Sequence, residues 1–213
     1  MKSSHINIFE SIGDIFYWKS TFHNLTVDLE PIMGQSHNFE FLLPSGKTGV
    51  TSGLVVKAAS GETTVRSTAY TLELRPWFYF LKQGSACRVF QDKTVPEIVK
   101  AVAEEAGYTD LKESLNGSYP KLEYAVQYNE SDFDFLSRLM EEAGIFYYFT
   151  HEPGKHTMVL ADGPQGWQEG PEPRWIGGNY PETPDTCIWN PGLEQSATVK
   201  SRVVEECNYL TPK

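Results

Sequence analysis

YPKLEYAVQYNESDFDFLSRLMEEAGIFYYFTHEPGKHTMVLAD, residues 119–162, reads as a strand, a helix and a hairpin with a punctuating residue at each joint. Glu123 to Tyr128 alternates, with Tyr124, Val126 and Tyr128 on one face and Glu123 and Gln127 on the other. Ser131 is placed to accept from the orphan amides of a helical first turn, with Asp134 at capping-box distance. Asp132 and Asp134 complement the positive helix end. Phe133, Leu136, Leu139, Met140 and Ala143 then form a stripe at helical spacing, and Gly144 is the expected left-handed stop. Ile145 to Thr150 is aromatic and β-prone, and Glu152-Pro153-Gly154-Lys155 turns it into His156 to Leu160.

Upstream, Thr94 to Ala106 is a second amphipathic helix. Thr94 and Glu97 make a capping-box pair, Pro96 sits in the first turn, and Val95, Ile98, Val99, Val102, Ala103 and Ala106 share one face. Both helices end in Glu-Glu-Ala-Gly, at 104–107 and 141–144, so Gly107 and Gly144 are both expected at positive φ. Trp77-Phe78-Tyr79-Phe80-Leu81 is expected to be core beneath these helices, the alternative being a stacking platform for a sugar or base. Val50 to Ala58 and Thr64 to Leu74 read as strands around a turn at Ala59-Ser60-Gly61-Glu62, and Pro76 ends the second. Further upstream the pattern weakens. Ile6 to Trp18 has no clean period, Leu25 to Leu29 alternates, Phe39 to Leu43 suits a strand, and Pro44-Ser45-Gly46-Lys47 suits a turn. Downstream, residues 163–192 are rich in proline and glycine yet carry Trp167, Trp175 and Trp189, which predicts ordered coil packed on the body. Ala197 to Val203 alternates as a last strand.

The 213 residues hold 18 Lys plus Arg against 28 Asp plus Glu, a net charge of −10. That disfavours a nucleic-acid partner, which would require basic patches. Cys87, Cys187 and Cys207 are scattered without CxxC spacing, so reduced thiols are expected in place of disulfides or zinc. The N-terminus reads poorly as a signal peptide, and no apolar run approaches the roughly 20 residues that span a bilayer.

The ordered set Glu123–Tyr128, Glu130–Phe135 and Ser137–Ile145, continued by His151, Gly154, His156 and Val159–Asp162, resembles the N-terminal hub module of VgrG. VgrG is the spike protein of type VI secretion and is related to contractile-phage tail hubs. Leu72–Trp77 and Arg88–Ile98 extend the likeness upstream in the same order. The resemblance implies an α+β fold: a β-rich, barrel-like tube domain over 1–92, then a smaller mixed α/β domain over 93–192. The latter would hold helices near 94–106 and 131–143 and the hairpin 145–160. Residues 193–213 would lead as a strand into a second tube domain. It further implies a structural, non-enzymatic hub subunit that forms a homotrimer, docks on an Hcp-like tube protein and carries a spike and effector cargo. Such a protein assembles in the cytoplasm and is secreted without a signal peptide. Lacking the second tube domain and spike, residues 1–213 are expected to self-associate weakly. A phage-tail baseplate hub is the neighbouring reading, and a hydrolase using surface carboxylates is the reading of another class.

No catalytic, cofactor-binding or metal residues are expected, and no cofactor. His151 and His156 flank the Pro-Gly turn and are the sharpest metal candidates, with Asp162 or Glu152 as a third ligand. Asp162, however, is six strand residues beyond His156, roughly 20 Å at about 3.3 Å per residue. Solvated hairpin histidines are therefore the expectation. Cys87 lacks a nucleophile elbow and is expected in the core. Glu104-Glu105 and Glu141-Glu142 are neighbours on helix ends, whereas acid–base work requires carboxylates across a cleft.

Overall fold

The computed structural model describes residues 3–11, 13–24, 26–42 and 48–166, with the backbone of a short parallel strand pair, Arg174–Trp175 and Cys187–Ile188. The chain divides into two units, Met1–Gly170 and Pro171–Lys213, and the elements labelled below belong to the first. The expected turn at 44–47, the packed coil around Trp167, Trp175 and Trp189, and the strand over 197–203 lie outside the described residues, apart from the Trp175 backbone.

β1 (Ser3–Phe9), β2 (Tyr17–Asn24), β3 (Ser36–Leu42), β4 (Thr48–Thr63) and β5 (Thr68–Arg75) form an antiparallel sheet in the order β1-β2-β5-β4-β3. Alternation sorts its two faces. Tyr70, Leu72 and Leu74 of β5 are buried with Phe16, Trp18, Phe22 and Val55, while Lys19 and Lys57 flank Glu73 on the other side. Among the described residues β1 and β3 do not pair with each other, so the barrel-like part of the chain is here an open sheet. Ile6 to Trp18 lacked a period because it crosses from one strand to the next through Gly13, whose φ is +74°. The alternation near Leu29 is not a strand. Residues 26–29 are irregular and lead into a 3-10 turn at Glu30–Ile32, with the Val27 amide bonded to the Tyr70 hydroxyl at 3.0 Å.

The β4–β5 turn also lies further along than expected. β4 continues through Thr63, and the reversal falls at Thr64–Ser67, where the Thr64 hydroxyl accepts from the amides of Arg66 and Ser67. Gly61 is not a turn residue. It lies in the register shift between Ser60 and Thr63, and a strand glycine commonly marks such a bulge.

After Pro76 the chain makes a 3-10 helix, Trp77–Lys82, then β6 (Ala86–Lys93), α1 (Val95–Glu105), β7 (Leu111–Ser114) and β8 (Leu122–Glu130). α2 (Asp132–Glu142), β9 (Phe146–Glu152) and β10 (Lys155–Ala161) complete it. β6 and β8 form an antiparallel ribbon, and β7 pairs parallel to β10, which pairs antiparallel to β9. The helix starts follow from their sequences. The Glu97 carboxylate accepts the Thr94 amide at 2.8 Å, and Thr94 accepts the Glu97 amide in return. At α2, Ser131 accepts the Asp134 amide at 3.0 Å, but the shorter Asp134 carboxylate takes the Ser131 hydroxyl and not its amide. Gly107 and Gly144 have φ of +86° and +69°, as their shared tetrapeptide predicts.

Leu136, Leu139 and Met140 are buried, and Phe78 meets Phe133 and Tyr147 at ring separations of 4.9 and 5.1 Å. The stripe therefore faces the 77–81 cluster and the hairpin, and Trp77, Phe78 and Leu81 are core. Phe135, absent from the expected stripe, is fully buried and stacks on Phe90. One cluster of buried side chains runs from Phe16 on the sheet to Leu160 on the hairpin.

Candidate functional site

The candidate histidines are not solvated. His151 and His156 are directly paired across the hairpin, and the hairpin end is pressed against the five-stranded sheet. Ser36 donates to the Gly154 carbonyl at 3.0 Å, and the Gly154 amide donates to the Asn38 Oδ1 at 2.6 Å. The Ser52 hydroxyl bonds both Asn38 and the Glu152 carbonyl. Phe16 meets both imidazoles edge-on, at 5.1 Å for His151 and 5.6 Å for His156. His151 lies between the Ser52 backbone and Glu10, whose Oε1 is 3.2 Å from Nε2. His156 is 5% exposed, and its Nε2 accepts the Trp77 amide at 2.8 Å. Burial, and to a lesser degree the neighbouring His151, lowers the His156 pKa to about 4. Both imidazoles are thus joinery between sheet and hairpin. Among the described residues no three His, Cys, Asp or Glu side chains are grouped to hold a metal.

Asp162 does something else. Its carboxylate accepts the amides of Asn116 and Gly117, the latter at 2.6 Å, and the Tyr119 hydroxyl at 2.9 Å. The Gly117 amide leads the set of bonds that holds its pKa below the ordinary carboxylate value. Burial and the Asp162 charge push the Tyr119 hydroxyl up to about 12. Asp162 therefore clasps the loop after β7 to the end of β10.

The β6–β8 ribbon holds the main polar network. Arg88 donates to Gln127 at 2.9 Å and to Glu105 at 2.6 Å, and also contacts Asp132. Gln127, fully buried, donates in turn to Asp132 at 2.8 Å and to the Glu130 carbonyl at 3.0 Å. Burial works against the Arg88 cation, but Asp132 and Glu105 outweigh it and raise its pKa. This network ties the ribbon to the end of α1 and the start of α2. Sequence reading missed it, since partners 17, 39 and 44 residues from Arg88 leave no local pattern. Glu105, expected to be merely a solvated helix-end carboxylate, is one of its members.

The ribbon's other face is open. Val89 is 60% exposed, Tyr124 55%, Val126 43% and Tyr128 79%. Cys87 is also exposed there, opposite Tyr128, which corrects its expected place in the core. The reason is direction: Arg88, Phe90, Ala125 and Gln127 point to the helices, so their neighbours in sequence point away. A broad groove of about 920 Å³, lined by Glu10, Lys112, Thr150, His151, Glu152 and Gln165 among others, carries charges of both signs. His151 and His156 at the seam, Asp162 at the clasp, and Arg88 and Asp132 at the ribbon are all engaged in structural bonds. No helix among the described residues is long and apolar enough to cross a membrane.

The model of the phage tail baseplate hub (GPD) family matches residues 10–213. The chain belongs to that family. Within it, the chain corresponds to a VgrG-type hub module. It is 39% identical over 139 residues to the type VI secretion system spike protein VgrG1c of Pseudomonas aeruginosa, covering 65% of this chain and 19% of that protein. VgrG1b of the same organism is 36% identical over 172 residues, 81% of this chain and 22% of the relative. The chain thus spans about a fifth of the length of these hub-family relatives. In fold it is similar to the E. coli c3393 protein, a type VI secretion component described as structurally similar to T4 tail proteins gp27 and gp5. The TM-score is 0.68 at 22% identity, over 83% of this chain and 50% of that one.

Proposed function

We propose that this VgrG-type hub module works as a scaffold subunit without catalysis of its own, assembling in the cytoplasm and leaving the cell with the spike, without a signal peptide. In this reading residues 1–92 are the tube part, 93–192 the α+β part, and 193–213 the strand toward a second tube domain. Three copies form the hub, an Hcp-like tube ring docks on it, and effector cargo travels with the spike. The observation that carries the reading is the family match over residues 10–213 together with relatives of 36–39% identity that are type VI spike proteins. The network of Arg88, Gln127, Asp132 and Glu105 supports it, because those groups are spent on holding elements together. The family's phage-tail description keeps a tail baseplate hub as the second reading.

The test has two parts. Light scattering behind a sizing column, over a hundredfold dilution, is expected to give self-association that weakens on dilution, as is usual for interfaces smaller than the 2,000 Å² or more of many obligate ones. Co-sedimentation with assembled tube protein is expected to retain the chain. A strict monomer that ignores the tube would sink the scaffold proposal.

A further inference from the structure

We propose that His156 is an acid-operated latch: as a neutral imidazole it holds the Trp77 amide and joins the exit of the five-stranded sheet to the β9–β10 hairpin, and on protonation it lets that corner go. The geometry is specific. Pro76 ends β5, and Trp77 opens the 3-10 helix, so its N–H is the first amide with no partner within that helix. His156 Nε2 supplies the missing acceptor from β10, 79 residues away, at 2.8 Å. An imidazole that accepts through Nε2 carries its proton on Nδ1. Protonation converts Nε2 into a donor, so two N–H groups would then point at each other. The cation gains nothing in return, because Nδ1 is buried with no hydrogen-bond partner among the described residues.

Among the described residues the surroundings offer no unpaired counter-ion. Phe16 and Phe149 wall the ring at 5.6 and 6.1 Å. From β9 the titratable neighbour is His151, and the carboxylate beyond it, Glu10, is in contact with His151 itself. Ahead of β7 lies Asp110, which would favour the cation but is paired with Lys155 at 2.8 Å. From the sheet side come the Trp77 backbone and aromatic rings. Remaining bonds between sheet and hairpin, those of Ser36, Asn38 and Ser52, involve no titrating side chain except His151. The bonds of Ser36 and Asn38 to Gly154 are thus insensitive to pH, while the bond at Trp77 depends on it.

The direction follows from linkage. With the folded pKa near 4 and the ordinary value near 6.5, the unfolded or opened state binds more protons between those limits. The latch is fully engaged above about pH 6.5 and is lost progressively as the pH falls toward 4. Across that window one extra proton raises the opening constant by up to about tenfold per pH unit. Below pH 4 the native ring is protonated too, and the loss levels off.

Two measurements on the 213-residue chain decide the matter. Long-range ¹H–¹⁵N NMR of the imidazoles is expected to show His156 as the Nδ1–H tautomer at pH 7, titrating well below the ordinary imidazole value near 6.5. An Nε2–H tautomer, or titration near 6.5, would overturn the proposal without need of any variant. Amide exchange at Trp77, corrected for intrinsic rate, is expected to speed up between pH 6.5 and 4 in the wild type. In His156→Gln, whose amide oxygen can accept the same bond but does not titrate, that acceleration should disappear. If His156→Gln opens with the same pH profile, another group operates the seam.

Discussion

The β6–β8 ribbon and the β9–β10 hairpin are both rich in aromatic and β-branched residues, yet the hairpin buries a face of them and the ribbon exposes one. In the hairpin, Tyr147 and Phe149 point inward beside Met158 and Leu160. In the ribbon, Tyr124, Val126 and Tyr128 point outward while Ala125 and Gln127 point inward. Alternation establishes that a strand has two faces and leaves open which one is covered. On the hairpin the choice follows the apolar side chains. On the ribbon it follows Arg88, Gln127 and Asp132, whose bonds can be completed only beneath α1 and α2.

That comparison is open to attack by substitution. The largest effect should come from the hairpin's buried face: Leu160→Ala, at a fully buried position, is expected to cost about 2–5 kcal/mol in denaturant unfolding. A cost below about 1 kcal/mol would mean that the hairpin face is far less packed than its burial indicates. Next is Gln127→Leu, which keeps the volume and strips the bonds to Arg88 and Asp132. It should destabilise by about 1–3 kcal/mol, because charged partners are left unsatisfied. A neutral or stabilising result would show that packing alone sets the ribbon's orientation. The smallest effect should be Tyr128→Ser, within about 0.5 kcal/mol for a surface position. A clear loss of stability there would reveal a surface covering the ribbon.

The local parts of this architecture were written plainly in the sequence. Thr94 with Glu97, Ser131, and the glycines at 107 and 144 mark helix ends by short-range chemistry, and the structure uses each as expected. The 119–162 stretch likewise unfolded into strand, helix and hairpin in order. What stayed hidden depends on distance along the chain. β7, Leu111–Ser114, is four residues long and gains its identity from parallel pairing with β10. The turn at Thr64 was missed because Gly61 offered a better-known signal that the bulge had already taken. His151 and His156 resemble exposed hairpin residues until Phe16, Ser52 and Trp77 arrive from the other half of the chain. Their burial is tertiary in origin, and no spacing rule encodes it.

The outward ribbon also bears on how this protein behaves in bulk. Val89, Val126 and Tyr128 lie on a two-stranded element to which no third strand is added among the described residues. Such a surface invites another molecule to stack or pair. At neutral pH the mutual repulsion from a net charge of −10 opposes such stacking. The isoelectric point is near 5.0, so mild acid removes the repulsion while leaving the ribbon as adhesive as before. Added salt acts in the same direction by shortening the reach of the charges to about 8 Å at physiological strength. The colloidal stability of this module thus depends on charge spread over the whole sequence and not on the apolar side chains of the ribbon alone.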